Sequence, residues 1–243
     1  VGDGAVAGGI SAAPGKKVIP SYSLEADQIS VGSLLKESWL MTRGLKADIW
    51  VGIGIMFVIL FGLGAATVTL LPPLGAPGGG MLAVWANIII ELISTILSML
   101  FVAGLINIGV RRVLDKRFSW RLLFSGFSRV VSIAVAGLLM SLLIISGLVL
   151  LILPGIYLAV GYSLTFALIV DKGCGPWEAM ELSRRRIHPR WWQVFGLYLV
   201  MYLIYMVSLI PLGIGAIWTI PMFFAINGVL YRLLITDAPE QQG

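Results

Sequence analysis

Long apolar runs separated by short polar passages set the pattern of this chain. The runs cover Ala47 to Leu71, Met81 to Val110, Val130 to Leu153, Gly155 to Val170, Trp191 to Ile210 and Gly213 to Leu234. A helix of about 20 apolar residues crosses the ~30 Å hydrocarbon core of a bilayer, so each run predicts one crossing. The stretch from Val130 to Val170 is too long for a single span at ~1.5 Å per residue and predicts two helices. Pro154-Gly155 supplies the expected break, because proline lacks a main-chain donor and glycine permits a turn. The passage "PPLGAPGGG" and Pro211-Leu212-Gly213 divide the first and last pairs in the same way. Every expected break then falls at the outer turn of a hairpin.

A second pattern precedes each hairpin. In "SVGSLLKESWLMTRGLK" the apolar side holds Leu34, Leu35, Ser38, Trp39, Met41, Thr42 and Leu45, with Lys36, Glu37 and Arg43 opposite. In "FSWRLLFSGFSRVV" Trp120, Leu123, Phe124, Phe127 and Val131 recur at the spacing of one helical face. In "GPWEAMELSRRRIHPRWW" Trp177, Met180 and Ile187 make a weaker version, and Pro176 suits a first helical turn. The unit exits "VLDKRFSW", "IVDKGCGPW" and "LLITD" also match one another. The pattern predicts an all-α polytopic membrane protein with six transmembrane helices as three tandem hairpins, each preceded by a cytoplasmic amphipathic interfacial helix. The units cover about residues 31–115, 116–172 and 173–237, within a membrane domain at 31–234. Residues 1–30 mix Gly, Ala, Pro and Ser without the apolar core of a signal peptide and predict a flexible cytoplasmic tail, with a shorter one at 235–243.

Composition reinforces the membrane reading: 58% of residues are hydrophobic and 12% charged, against about 25% charged in soluble domains. Little chain remains for a separate catalytic domain. The 17 Lys and Arg fall five before the first span, six from Arg111 to Arg129, five from Lys172 to Arg190 and one at Arg232. The hairpin turns carry none, so the positive-inside rule places both termini and both long loops in the cytoplasm. Cys174 and His188 are the single members of their types. They make neither an internal disulfide nor a zinc site, and no cofactor is expected.

Candidate chemistry is sparse. Apart from Asp48 at the very start of the first run, Glu91 is the one acid inside an apolar run, and it lies four residues after Asn87, on the same helical face; an intramembrane carboxylate points to a proton or cation site. Counting about 20 residues outward from Arg111 sets Glu91 near the outer boundary, where snorkelling is the competing role. Arg111, Arg112, Lys116, Arg117, Arg184, Arg185, Arg186 and Arg190 flank spans, where each gains about 1 kcal/mol from anionic headgroups. Lipid headgroups or a partner protein, and not nucleic acid, are their expected contacts. His188 sits among arginines without a nucleophile beside it. Tyr198, Tyr202 and Tyr205 are expected to pack between helices with their hydroxyls paired. Asn107, Asn227, Gly104 and Gly196 fit the small and polar residues that hold membrane helices together.

"LPGIYLAVGYSL", then "IVDKGCGPWEAMELS", then "RWWQVF", resembles the membrane domain of bacterial glycerophosphoryl diester phosphodiesterases and its stand-alone relatives of unknown function. Pro154, Gly155, Tyr157, Asp171, Glu178, Ala179, Ser183 and Trp192 stand at the family's structural positions, over about Leu151 to Phe195. In that family catalysis belongs to a separate barrel domain, so the resemblance implies a membrane helper, scaffold or lipid-contacting role and carries over no catalytic residue. The expectation is a non-enzymatic scaffold or accessory subunit, with a homo-oligomer or a membrane protein as partner. The alternative is a transporter or channel for a small solute, ion or lipid that works through Glu91.

Overall fold

The structure is a computed structural model that describes residues 30–70, 80–210 and 213–237. Most of both expected tails, the first hairpin turn up to Gly79 and Pro211-Leu212 lie outside these residues. The described residues form α1 (Val31–Thr42), α2 (Lys46–Leu70), α3 (Met81–Val113), a 3₁₀ segment (Trp120–Arg129), α4 (Val130–Leu150), α5 (Ile152–Gly161), α6 (Thr165–Lys172), α7 (Pro176–Ile187), α8 (Trp191–Leu209) and α9 (Ala216–Tyr231). A π turn, Arg232–Thr236, continues α9. Six helical segments are long and apolar enough to cross a membrane, namely Lys46–Thr69, Met81–Val113, Trp120–Leu150, Ile152–Lys172, Pro176–Leu209 and Ala216–Thr236. The chain is therefore an all-α, multi-pass membrane protein.

The core gathers around the C-terminal half of α3. Phe101, Leu105, Ile108 and Val110 are buried, whereas Met81, Leu82, Trp85 and Leu92 in the first half are exposed. Glycine makes the difference. A β-carbon at Gly109 would collide with the main-chain carbonyl of Phe224, and one at Gly228 would stand 2.5 Å from the carbonyl oxygen of Gly109. The backbones of α3 and α9 thus touch directly, the small-residue packing that membrane helices use in place of a hydrophobic driving force. Gly104 admits the main chain of Leu123 in the same way, and Gly126 rests on the carbonyl of Leu100.

Helices α2 and α3, α4 and α5, and α8 and α9 pack side by side. Each preceding segment seats on a different pair: α1 on α8 and α9, the 3₁₀ segment on α2 and α3, and α7 on α4, α5 and α6. Polar bonds tie these seats together at one end of the bundle. The Trp120 N–H donates to Asp48 at 2.9 Å, and the Arg112 guanidinium donates to the carbonyl of Arg43 at 3.0 Å, closing the C-terminal end of α1. Arg129 donates to the carbonyl of Gly173 at 3.3 Å, just past α6. Asp171 accepts from the Tyr231 hydroxyl at 2.8 Å and from Lys116 at 3.4 Å. Arg232 pairs with Glu37 of α1. We refer to this as the cationic end.

Four local features depart from the sequence reading. The α4–α5 break lies at Leu151, an extended residue with φ −159° and ψ 127°, and not at Pro154-Gly155. Pro154 occupies the third position of α5, where its missing N–H has no intrahelical acceptor to serve; Gly155 instead packs against Gly147 and Leu148 of α4. The run from Gly155 to Val170 is not one helix, because it opens at Tyr162 to Leu164 between α5 and α6, away from any outer turn. The stretch after Ser119 is 3₁₀ and not α. Three residues per turn stack Leu123 and Gly126, the two buried positions, on α3, while Phe124 and Phe127 form the adjacent ridge, exposed on one side and against Phe101 of α3 on the other. In α1, Glu37 belongs to the buried side while Trp39 and Leu40 are exposed.

Two stability predictions result. Gly109→Ala should destabilise the fold by about 1–3 kcal/mol through overpacking, whereas Gly62→Ala, where a β-carbon meets nothing within 4 Å, should not; thermal unfolding in detergent reads the difference. Glu37→Ala should cost about 1–3 kcal/mol, because the half-buried Arg232 loses its closer partner and keeps only Asp237 at 3.5 Å. The double replacement Glu37→Met with Arg232→Met should recover most of that loss in the same assay.

Candidate functional site

The residues of the motif from Pro154 to Trp192 are joined physically. Opening a helix inside an apolar surround frees main-chain groups that need partners. Ser183, fully buried on α7, supplies them: its hydroxyl donates to the Gly161 carbonyl at 2.7 Å and accepts from the Leu164 N–H at 3.2 Å. Ala179 is buried one turn earlier on the same face, and its small side chain lets α7 come close. Gly173 ends α6 at φ 74°, a left-handed conformation that favours glycine. Beyond it, Glu178 accepts from the Gly175 N–H at 3.2 Å and caps α7. The Tyr157 hydroxyl lies 2.8 Å from His188 Nδ1, and its carbonyl accepts from Trp191 Nε1 at 3.2 Å. Trp192 is exposed beside them.

The cations divide into held and unheld groups. Arg112 and Lys116 serve the α1 carbonyls and Asp171, as described. Arg184 grips Glu181 with two bonds of 3.0 and 2.9 Å, and Arg185 adds a third at 2.7 Å. The Arg111 Nε is buried without a hydrogen-bond partner. Arg190 lies beside Leu34 and Val194 at the junction of α1 and α8. Arg117 and Arg186, with Lys36 and Lys172, have no ion pair or hydrogen bond among the described residues. Asp48, Arg129, Glu37 and Arg232 carry joints at this end that no local pattern marks, since their partners are remote in the chain.

Asn87 and Glu91 do come together. They line a cleft of about 560 Å³ between α2 and α3, with Gly64, Thr67 and Ser94. A second cavity, of about 450 Å³, separates α8 from α9 and is walled by Tyr198, Tyr202, Tyr205, Thr219 and Phe223. The Tyr198 hydroxyl donates to Asn227 Oδ1 at 3.0 Å, as the packing reading expects; Tyr202 is exposed, so the stripe lines a groove and does not fill it. Asn107 donates to Ser125 at 2.9 Å and helps seat the 3₁₀ segment. Among the described residues no three His, Cys, Asp or Glu gather as a metal site.

Ser183→Ala should strand the Gly161 carbonyl and the Leu164 N–H, at about 1–3 kcal/mol. Hydrogen exchange at the Leu164 amide should accelerate accordingly, while Ser128→Ala, on an exposed hydroxyl, should leave it unchanged. Comparison of the chain with protein-family models, with curated proteins and with solved structures gives no match.

Proposed function

We propose that this chain is a non-enzymatic scaffold or accessory subunit of a bacterial inner membrane, built as three tandem units that close on one another and held in the cytoplasmic headgroup layer by its cationic end. The carrying observation is the exposure of Trp39, Trp120, Phe124, Phe127, Trp177 and Trp192 on α1, the 3₁₀ segment, α7 and the start of α8. Tryptophan favours the membrane–water boundary, and phenylalanine supplies the apolar face of segments that lie in it. Lys36, Arg117, Lys172 and Arg186 lie on or beside the same segments and supply charge for anionic headgroups.

The cyclic packing supports the tandem organisation. In each case the leading segment of one unit seats on the helix pair of the unit before it, and α1 completes the round by seating on the last pair. The residues that resemble the phosphodiesterase-associated membrane domain agree with a structural role, since Tyr157, Asp171, Ala179 and Ser183 all join helices. A homo-oligomer or a second membrane protein is the partner this reading anticipates.

Native mass spectrometry of the protein extracted with its lipids should show enrichment of anionic over zwitterionic species. Replacing Lys36, Arg117 and Lys172 together by Gln should reduce that enrichment, at about 1 kcal/mol per charge removed. Equal lipid composition in the two proteins would remove the headgroup contact from the proposal. Orientation is read separately: on a Cys174→Ser background, Gly80→Cys and Arg117→Cys should be labelled from opposite sides of the membrane.

A further inference from the structure

We infer that the cleft between α2 and α3 binds a lipophilic organic cation, a ligand with an ammonium- or phosphonium-type centre on an apolar body. The inference does not depend on the scaffold reading.

Volume comes first. About 560 Å³ lies within the range of small-molecule sites, roughly 300–1,000 Å³. Polarity comes next, and its one charge is negative. Asn87, Glu91 and Ser94 follow one another at i, i+4 and i+7 along α3, so they share a face, and Thr67 of α2 lines the same cleft. The Thr67 hydroxyl donates to its own helix at Leu63 O, 2.8 Å, and the Ser94 hydroxyl to Ile90 O, 2.9 Å. With their hydrogens turned into the helices, what these two hydroxyls offer the cleft is lone pairs. Glu91 adds a carboxylate with no hydrogen bond or ion pair among the described residues, and no Lys or Arg lines the cleft.

The site is therefore rich in acceptors, the Asn87 amide donating to its own helix at Ala83 O, 2.8 Å, and it carries one negative charge uncompensated among the described residues, on a membrane-spanning helix where a charge calls for a partner. Its shape decides between cations. A hard divalent ion needs about six or more oxygens, and this cleft supplies one carboxylate. Val68, Ile88 and Leu92 form the remaining wall; they have nothing to offer a hydrated ion but will cover the apolar body of an organic one. Opposite charge at Glu91 and hydrocarbon around it are the two features such a ligand needs.

The test uses the full chain in dodecyl maltoside micelles, with tetraphenylphosphonium as probe in equilibrium dialysis. One saturable site per chain is expected. Glu91→Gln should weaken it by more than roughly tenfold, while Glu91→Asp should retain part of the affinity and Glu181→Gln all of it. Val68→Trp keeps the carboxylate and fills the cleft, so it should also abolish binding; unchanged elution and helical circular dichroism verify that each variant is folded. Adding phosphatidylethanolamine distinguishes two sources of the same chemistry: competition identifies a lipid amine as the natural occupant, and its absence points to a free amphiphilic cation. Absence of a saturable site, equal affinity in Glu91→Gln, or loss of binding with Tyr202→Ala in place of Val68→Trp would overturn the inference.

Discussion

The contact of α3 with α9 at Gly109 and Gly228 is the constraint on which the rest of the structure depends. Two main chains meet there without side chains between them, which fixes how far apart every neighbouring element must sit. Because α3 touches α9 on one side and the 3₁₀ segment on another, through Gly104, its C-terminal half is enclosed while its N-terminal half stays open to its surroundings. The same asymmetry creates the α2–α3 cleft. Held together nearer the cationic end, α2 and α3 have no comparable glycine contact farther along, where a β-carbon at Gly54, Gly62 or Gly64 would meet nothing within 4 Å.

Polar groups follow from that enclosure. Buried main-chain ends must find partners, and here distant side chains provide them: Arg112 for the end of α1, Arg129 for the end of α6, Ser183 for the gap between α5 and α6. Several charges that read as lipid-facing in isolation are thereby absorbed into the joints of the bundle. The charges left over and the exposed aromatic rings are the part of this end that is free to meet something else.

Spans were legible in the sequence because crossing a bilayer demands a long apolar run, and such runs are local. Joints were not. Nothing near Tyr162 announces that the helix opens there, because the stabilising hydroxyl belongs to Ser183 on another helix. Pro154 misled in the opposite sense: proline marks a helix start as readily as a break, and only the packing of Gly155 on α4 reveals which. Glu37 looked solvated from its neighbours alone, while its partner Arg232 lies 195 residues away. For the candidate site, Asn87 and Glu91 could be paired from helical spacing, but the facing Thr67 and the turning-in of its hydroxyl hydrogen required coordinates.

That separation between Glu37 and Arg232 also sets an order of events during biosynthesis. At about 5–20 residues per second, α9 emerges roughly 10–40 s after α1. Through that interval the face of α1 that bears Leu34, Glu37, Ser38 and Thr42 has no seat, although the 3₁₀ segment can already settle on α2 and α3. Docking of the first helix therefore waits for the last pair, and a ribosome that stops before α8 and α9 are made releases a chain with its opening segment still undocked.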